Sequence, residues 1–163
     1  MVQLARISGA THIIASDKLP HRLQAAKSFG ATNVFQAEGG KETAEILAAT
    51  HRRGVDVAFE VAGENDAVET AVATAKRGAR VVLVGIPADD RTAFNASTAR
   101  RKGLTIKLVR RMKHTYPRAI TLVEHGLVDV RSLVTHRFPL TEAKPAFVEA
   151  EKRSGLKVVI EMA

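Results

Sequence analysis

Asp17 closes a short apolar run, His12-Ile13-Ile14-Ala15-Ser16, and stands five residues before Arg22. The run reads as a buried parallel strand. A carboxylate at the end of such a strand accepts hydrogen bonds from both hydroxyls of an adenosine ribose. It also repels a 2′-phosphate, a chemistry that prefers NAD to NADP. The same residue also reads as a solvated strand end or a helix cap. Arg22 reads either as a side chain lying over an adenosine or as a surface arginine on a helix. The histidines, His12, His21, His51, His114, His125 and His136, are widely spaced and form no His-x-x-x-His pair, so they offer no zinc set. There is no cysteine, which excludes disulfides, thiolate zinc sites and a cysteine nucleophile.

The formal charge is +8, from 25 Lys and Arg against 17 Asp and Glu. The densest basic stretch holds Arg100, Arg101, Lys102, Lys107, Arg110, Arg111 and Lys113. It reads as a nucleic-acid patch, or as a solvated face with a few phosphate contacts. Aromatics are 4% of the chain, with one Tyr and no Trp, so platforms for stacking bases are scarce and no nucleic-acid partner is expected. No run approaches the roughly 18 apolar residues of a membrane helix. The opening Met-Val-Gln-Leu-Ala-Arg lacks a signal-peptide pattern, so the expectation is a cytoplasmic protein with no membrane partner.

The elements that must position Asp17 alternate strand and helix. A helix is expected from Pro20 to Phe29-Gly30, a strand over 33–35, a helix over 42–50 and a strand over 56–61. Asn65 or Asp66 is expected to cap a helix over 67–76 that Gly78 ends. Strands follow over 80–84 and 104–109, with a short basic helix between them. Beyond a boundary near 111–113, a helix opens at Tyr116-Pro117, Thr141 caps a helix over 142–152 that Ser154-Gly155 ends, and a strand covers 157–161. Such alternation implies right-handed β-α-β units and a layered parallel sheet.

Val2 to Ser8 reads as the second half of a helix that feeds directly into the strand before Asp17. In a dinucleotide-binding unit a strand and a Gly-x-Gly-x-x-Gly turn precede that helix, and neither is present. A different α/β fold that begins with a short helix satisfies the same pattern. In the order 3-2-1-4-5-6 the first strand is central, and its loss leaves the flanking edges unpaired at about 1–3 kcal/mol per buried group. The chain alone is therefore expected to be unstable, to shift its strands or to dimerise.

Two stretches carry a family resemblance: Leu133-Val134-Thr135-His136-Arg137-Phe138-Pro139-Leu140, and Val109 to Ile120 with its Arg110-Arg111-Met112-Lys113-His114 centre. Both are similar to sorbitol and xylitol (L-iditol-type) dehydrogenases, the second most of all to bacterial xylitol dehydrogenases. Glu60-Val61-Ala62-Gly63 resembles the Glu-Cys-Thr-Gly strand end of that family, and Val81-Val82-Leu83-Val84-Gly85 its fifth strand. Over its whole length the chain resembles the medium-chain, zinc-type dehydrogenases.

The resemblance implies an α/β fold: a Rossmann-like doubly wound parallel sheet lacking its first strand and Gly-rich loop, plus the C-terminal part of a catalytic domain. Residues 1–111 would be a partial NAD-binding domain and 112–163 the C-terminal segment of the GroES-like catalytic domain. It implies that Asp17 and Arg22 bind the adenosine ribose, and that Val84, Gly85 and Ile86 present backbone groups to the nicotinamide carboxamide. Ala62 would flank the nicotinamide ring, with Val109, Arg110 and Arg111 along the inner end of the cofactor. Arg111 would also face the polyol, while Met112 replaces a tyrosine that faces substrate in many relatives. The family's zinc is held by Cys, His and Glu of an N-terminal domain, and no metal ligand or catalytic residue is assigned within this chain.

The function expected is that of a C-terminal part of an NAD-dependent polyol dehydrogenase, oxidising a secondary alcohol to a ketone and homo-oligomeric at full length. A free-standing NAD-binding module without catalysis is the alternative, and a basic nucleic-acid-binding α/β domain a third reading.

Overall fold

The computed structural model describes residues 1–112 and 114–162; Lys113, which falls in the basic stretch and at the expected boundary, and Ala163 lie outside the described residues. The chain runs α1 (Val2–Ile7), β1 (Ile14–Asp17), α2 (Pro20–Ser28), β2 (Asn33–Gln36), α3 (Glu42–Ala49), β3 (Val55–Glu60) and α4 (Asn65–Thr74). It continues with β4 (Ala75–Leu83), α5 (Ala96–Lys102), β5 (Thr105–Leu108), α6 (Tyr116–Glu124), β6 (Val134–Pro139), α7 (Ala143–Lys152) and β7 (Lys157–Glu161). The strands form the orders β1-β2, β3-β4-β5 and β6-β7, and the pairs β3/β4, β4/β5 and β6/β7 are parallel. Among the described residues β1 pairs only with β2, and β3 only with β4.

Two units divide the described residues: one holds 1–15, 19–34 and 114–162, the other 16–18 and 35–112. In the second, α4 covers β3 and β4. Val68, Ala71 and Val72 of the helix meet Ala58, Val81 and Leu83 of the strands, and Ala99 of α5 joins them. Most of these side chains are small, which lets the layers approach closely. Val72 and Val81 are fully buried.

α4 departs from its expected limits. The cap position is Glu64, without a side-chain cap bond, and Asn65 Oδ1 instead accepts from the Ala93 amide at 2.9 Å. The helix ends at Thr74 because Ala75 is already extended and pairs with Val55. The register then shifts, so that Val57 pairs with Arg80, and Gly78 lies inside the irregular strand rather than at a helix end. Lys102, grouped by sequence with a basic surface, donates from Nζ to the carbonyls of Val72, Ala73 and Ala75 at 3.1, 2.6 and 2.9 Å. It closes the C-terminal end of α4, where carbonyls lack helical partners.

In the other unit, β6 and β7 pair in parallel and α7 packs on both. Thr141 does not cap α7. It lies in a 3-10 turn (Leu140–Glu142), and Glu142 takes the cap position without a side-chain bond. The left-handed residue after α7 is Arg153, at φ 55°, ahead of the expected Ser154-Gly155 stop. The Gln3 amide is reciprocally bonded to the main chain of Asp129, at 2.8 and 2.7 Å, and ties α1 to the segment after α6.

Candidate functional site

Parallel strands bring their carboxyl ends to one edge, and in α/β sheets that edge is where ligands sit. In β3-β4-β5 the register aligns Glu60 with Leu83 and Leu83 with Leu108. The residues after each strand therefore emerge at one level: Ala62-Gly63 after β3, Val84-Gly85-Ile86 after β4 and Val109 after β5. The Val109 amide donates to the Leu83 carbonyl at 3.0 Å and carries the pairing one step past β5.

Glu60 fastens this edge. Its side-chain Oε1 accepts from the amides of Ala62 and Gly63 at 2.6 and 2.7 Å. Its main-chain oxygen accepts from the amides of Val84 and Gly85 at 2.8 and 3.1 Å. The residue is buried. The two turns touch so closely that side chains are excluded between them. A Cβ on Gly85 would press on the Gly63 amide and lie 2.6 Å from Glu60 Oε2, and one on Gly63 would lie 2.5 Å from the Ile86 carbonyl oxygen. Gly63 also needs its φ of +75°, which L side chains rarely adopt.

Of the residues singled out by sequence, Val84, Gly85, Ile86 and Val109 thus lie together on one strand edge, with Ala62 beside them. Arg110 and Arg111 follow Val109 directly and are exposed. Asp17 ends β1, half-buried, and its main-chain oxygen accepts from the Ala37 amide at 3.0 Å. It belongs to the same unit as the edge, whereas Arg22 belongs to the other. There Arg22 lines a cleft of about 200 Å³ with Glu149, Arg153 and Lys157. The Ser154 hydroxyl and then the Lys152 ammonium hold the Glu149 carboxyl below its ordinary range. Sequence reasoning quoted Glu60 only as part of a strand end and gave it no task. The signal was an acid three residues ahead of a turn glycine.

This fold, parallel strands alternating with helices and a glycine-tight carboxyl edge, is that of a Rossmann-type nucleotide-binding domain. Residues 1–125 match the zinc-binding dehydrogenase family, and the chain belongs to it. It is similar to sorbitol dehydrogenase of Bacillus subtilis, 35% identical over 98% of this chain and 46% of that protein. It is similar also to sorbitol dehydrogenase of Bos taurus, 32% identical over 96% of this chain and 44% of that protein. Among solved structures, an Escherichia coli oxidoreductase/dehydrogenase of unknown specificity superposes with a TM-score of 0.90 at 32% identity, covering 99% of this chain and 47% of the other. An alcohol dehydrogenase from Thermus sp. gives the same TM-score at 27% identity, covering 99% of this chain and 47% of the other. The chain therefore spans about half the length of the relatives it matches.

The family implies zinc and NAD at full length. For zinc the residues present do not fit: no group of three His, Cys, Asp or Glu able to hold a metal occurs among the described residues, and the sequence has no cysteine. For NAD the residues present fit, with a half-buried carboxylate at the end of β1 and main-chain groups along the β3-β4-β5 edge. No helix among the described residues is long and apolar enough to cross a membrane.

Proposed function

We propose that this chain forms the nucleotide-binding part of an NAD-dependent, zinc-type polyol dehydrogenase that oxidises a secondary alcohol of a small xylitol- or sorbitol-like substrate to a ketone. Residues 1–111 serve as a partial NAD-binding domain, and 112–163 as the C-terminal segment of the catalytic domain. The observation that carries the reading is the level carboxyl edge, in which Glu60, Leu83 and Leu108 are in register and the turns beyond them lie side by side. Bound NAD supplies the hydride acceptor, and the protein supplies orientation and electrostatics.

In this reading Asp17 accepts hydrogen bonds from the adenosine ribose hydroxyls. Val84, Gly85 and Ile86 offer main-chain groups to the carboxamide, with Ala62 beside the nicotinamide ring. Val109, Arg110 and Arg111 line the inner end of the cofactor, and Arg111 turns toward the polyol hydroxyls. The relatives named as sorbitol dehydrogenases support the substrate class.

Calorimetric titration of the chain with NAD and NADP tests the reading. NAD is expected to bind at least about tenfold more tightly, because a 2′-phosphate would meet the Asp17 carboxylate. Equal affinities would remove the role given to Asp17.

A further inference from the structure

We propose that Glu60 is a positioning residue for the nicotinamide end of the cofactor, a proposal that rests on the NAD-binding reading above. Glu60 is 4% exposed, yet it carries a carboxylate at the end of a strand. Burying such a group costs free energy unless it is hydrogen-bonded, and here the bonds go to the two amides of the turn after β3. Amide bonds to a carboxylate are shorter and roughly twice as strong as neutral ones. The main-chain oxygen of the same residue holds the turn after β4 through Val84 and Gly85. One residue thus links the two turns, beyond the β3/β4 pairing itself.

Apolar packing does not supply that link. Val61 and Ile86, the large apolar side chains of the turns, are 55% and 67% exposed. Without the carboxylate, the Ala62 and Gly63 amides lose their shared acceptor and the turn after β3 is free to relax away from Val84–Ile86. A displacement of about 1 Å is enough to weaken a positioned ligand group. The Glu60 side chain bonds the turn after β3, whereas Asp17 stands at the end of β1. The role proposed for Glu60 is therefore confined to the nicotinamide end.

The test compares NAD with ADP-ribose, which lacks the nicotinamide, on the chain and on its Glu60→Ala and Glu60→Gln variants. Glutamine keeps one oxygen acceptor for the amides, loses the charge and puts an NH2 group in place of the second oxygen. We expect NAD affinity to fall about tenfold in Glu60→Ala and about threefold in Glu60→Gln, with ADP-ribose affinity within about twofold of the parent in both. Equal weakening of both ligands would overturn the proposal, since it would mark a general loosening of the fold. Unchanged NAD affinity would overturn it as well. If Glu60→Ala does not fold, Glu60→Gln decides by the same criterion. A parent chain that binds neither ligand would refute the NAD-binding reading itself, and this proposal with it.

Discussion

Lys102 Nζ lies 2.6 Å from the carbonyl oxygen of Ala73, in the last turn of α4. With its bonds to Val72 and Ala75 it satisfies three carbonyls at once, and burial pulls its pKa below the ordinary lysine range. Replacing it with methionine keeps the stem and removes the donors. Lys102→Met is expected to lower stability by about 1–2 kcal/mol, read from urea unfolding midpoints at constant slope. A neutral result would show that water replaces the ammonium without loss.

Thr70 donates to Glu42 Oε1 at 2.9 Å, and both residues are buried between α3 and α4. Burial raises the Glu42 carboxyl pKa, but bonds from its own amide, from Thr70 and from the Glu38 and Gly40 amides together carry it below the ordinary value. A lowered carboxyl stabilises the fold above its unfolded pKa, about 4.3, and that contribution fades as pH falls through the folded value. Thr70→Val should therefore cost about 1–2 kcal/mol at pH 7 and visibly less at pH 3. A cost independent of pH would remove Glu42 from the account.

Asp56 is held at about 2, first by the Arg53 guanidinium and then by the Lys76 ammonium. Its stabilising contribution is complete above the unfolded value of about 3.9 and is lost as pH falls through about 2. The carboxylate is exposed and screened by solvent, so the effect is small. Thermal melts of Asp56→Asn should lie slightly below the parent at pH 6 and converge with it only below about pH 2. Added salt should narrow the gap at pH 6.

Two glycines of the β4 segment separate space from backbone strain. Gly78 has φ +72° but open space where a Cβ would go, so Gly78→Ala should cost about 1–2 kcal/mol. Gly85 faces the Gly63 backbone and Glu60 Oε2, so Gly85→Ala should cost about 2–4 kcal/mol. Urea midpoints measured side by side check the ranking, and the reverse order would mean that the two turns separate easily.

The local signals that proved readable were those that one residue decides. Pro20 occupies the first turn of α2, where its missing N–H costs nothing, and the β-branched run at 157–161 forms β7 over the same residues. Signals that depended on partners were not readable. Ala75 and Lys76 continue a helical pattern, but pairing of Ala75 with Val55 draws them into β4. Val134–Pro139, quoted only as a family signature, becomes a strand because β7 lies beside it. At the site, the residues after β4 were placed by resemblance, while the task of Glu60 depends on amides two, three, 24 and 25 positions away.

The bonds at the carboxyl edge also fix what the edge can say to a visitor. The N–H groups of Ala62, Gly63, Val84 and Gly85 all point inward onto Glu60. Those four positions have only oxygens left to offer, so a guest seated against them must arrive carrying hydrogens of its own. A primary amide brings two, and a carboxylate in its place brings none and meets a row of like partial charges. On the NAD-binding reading, the spent donors of one buried acid would make this edge favour a carboxamide over a carboxylate.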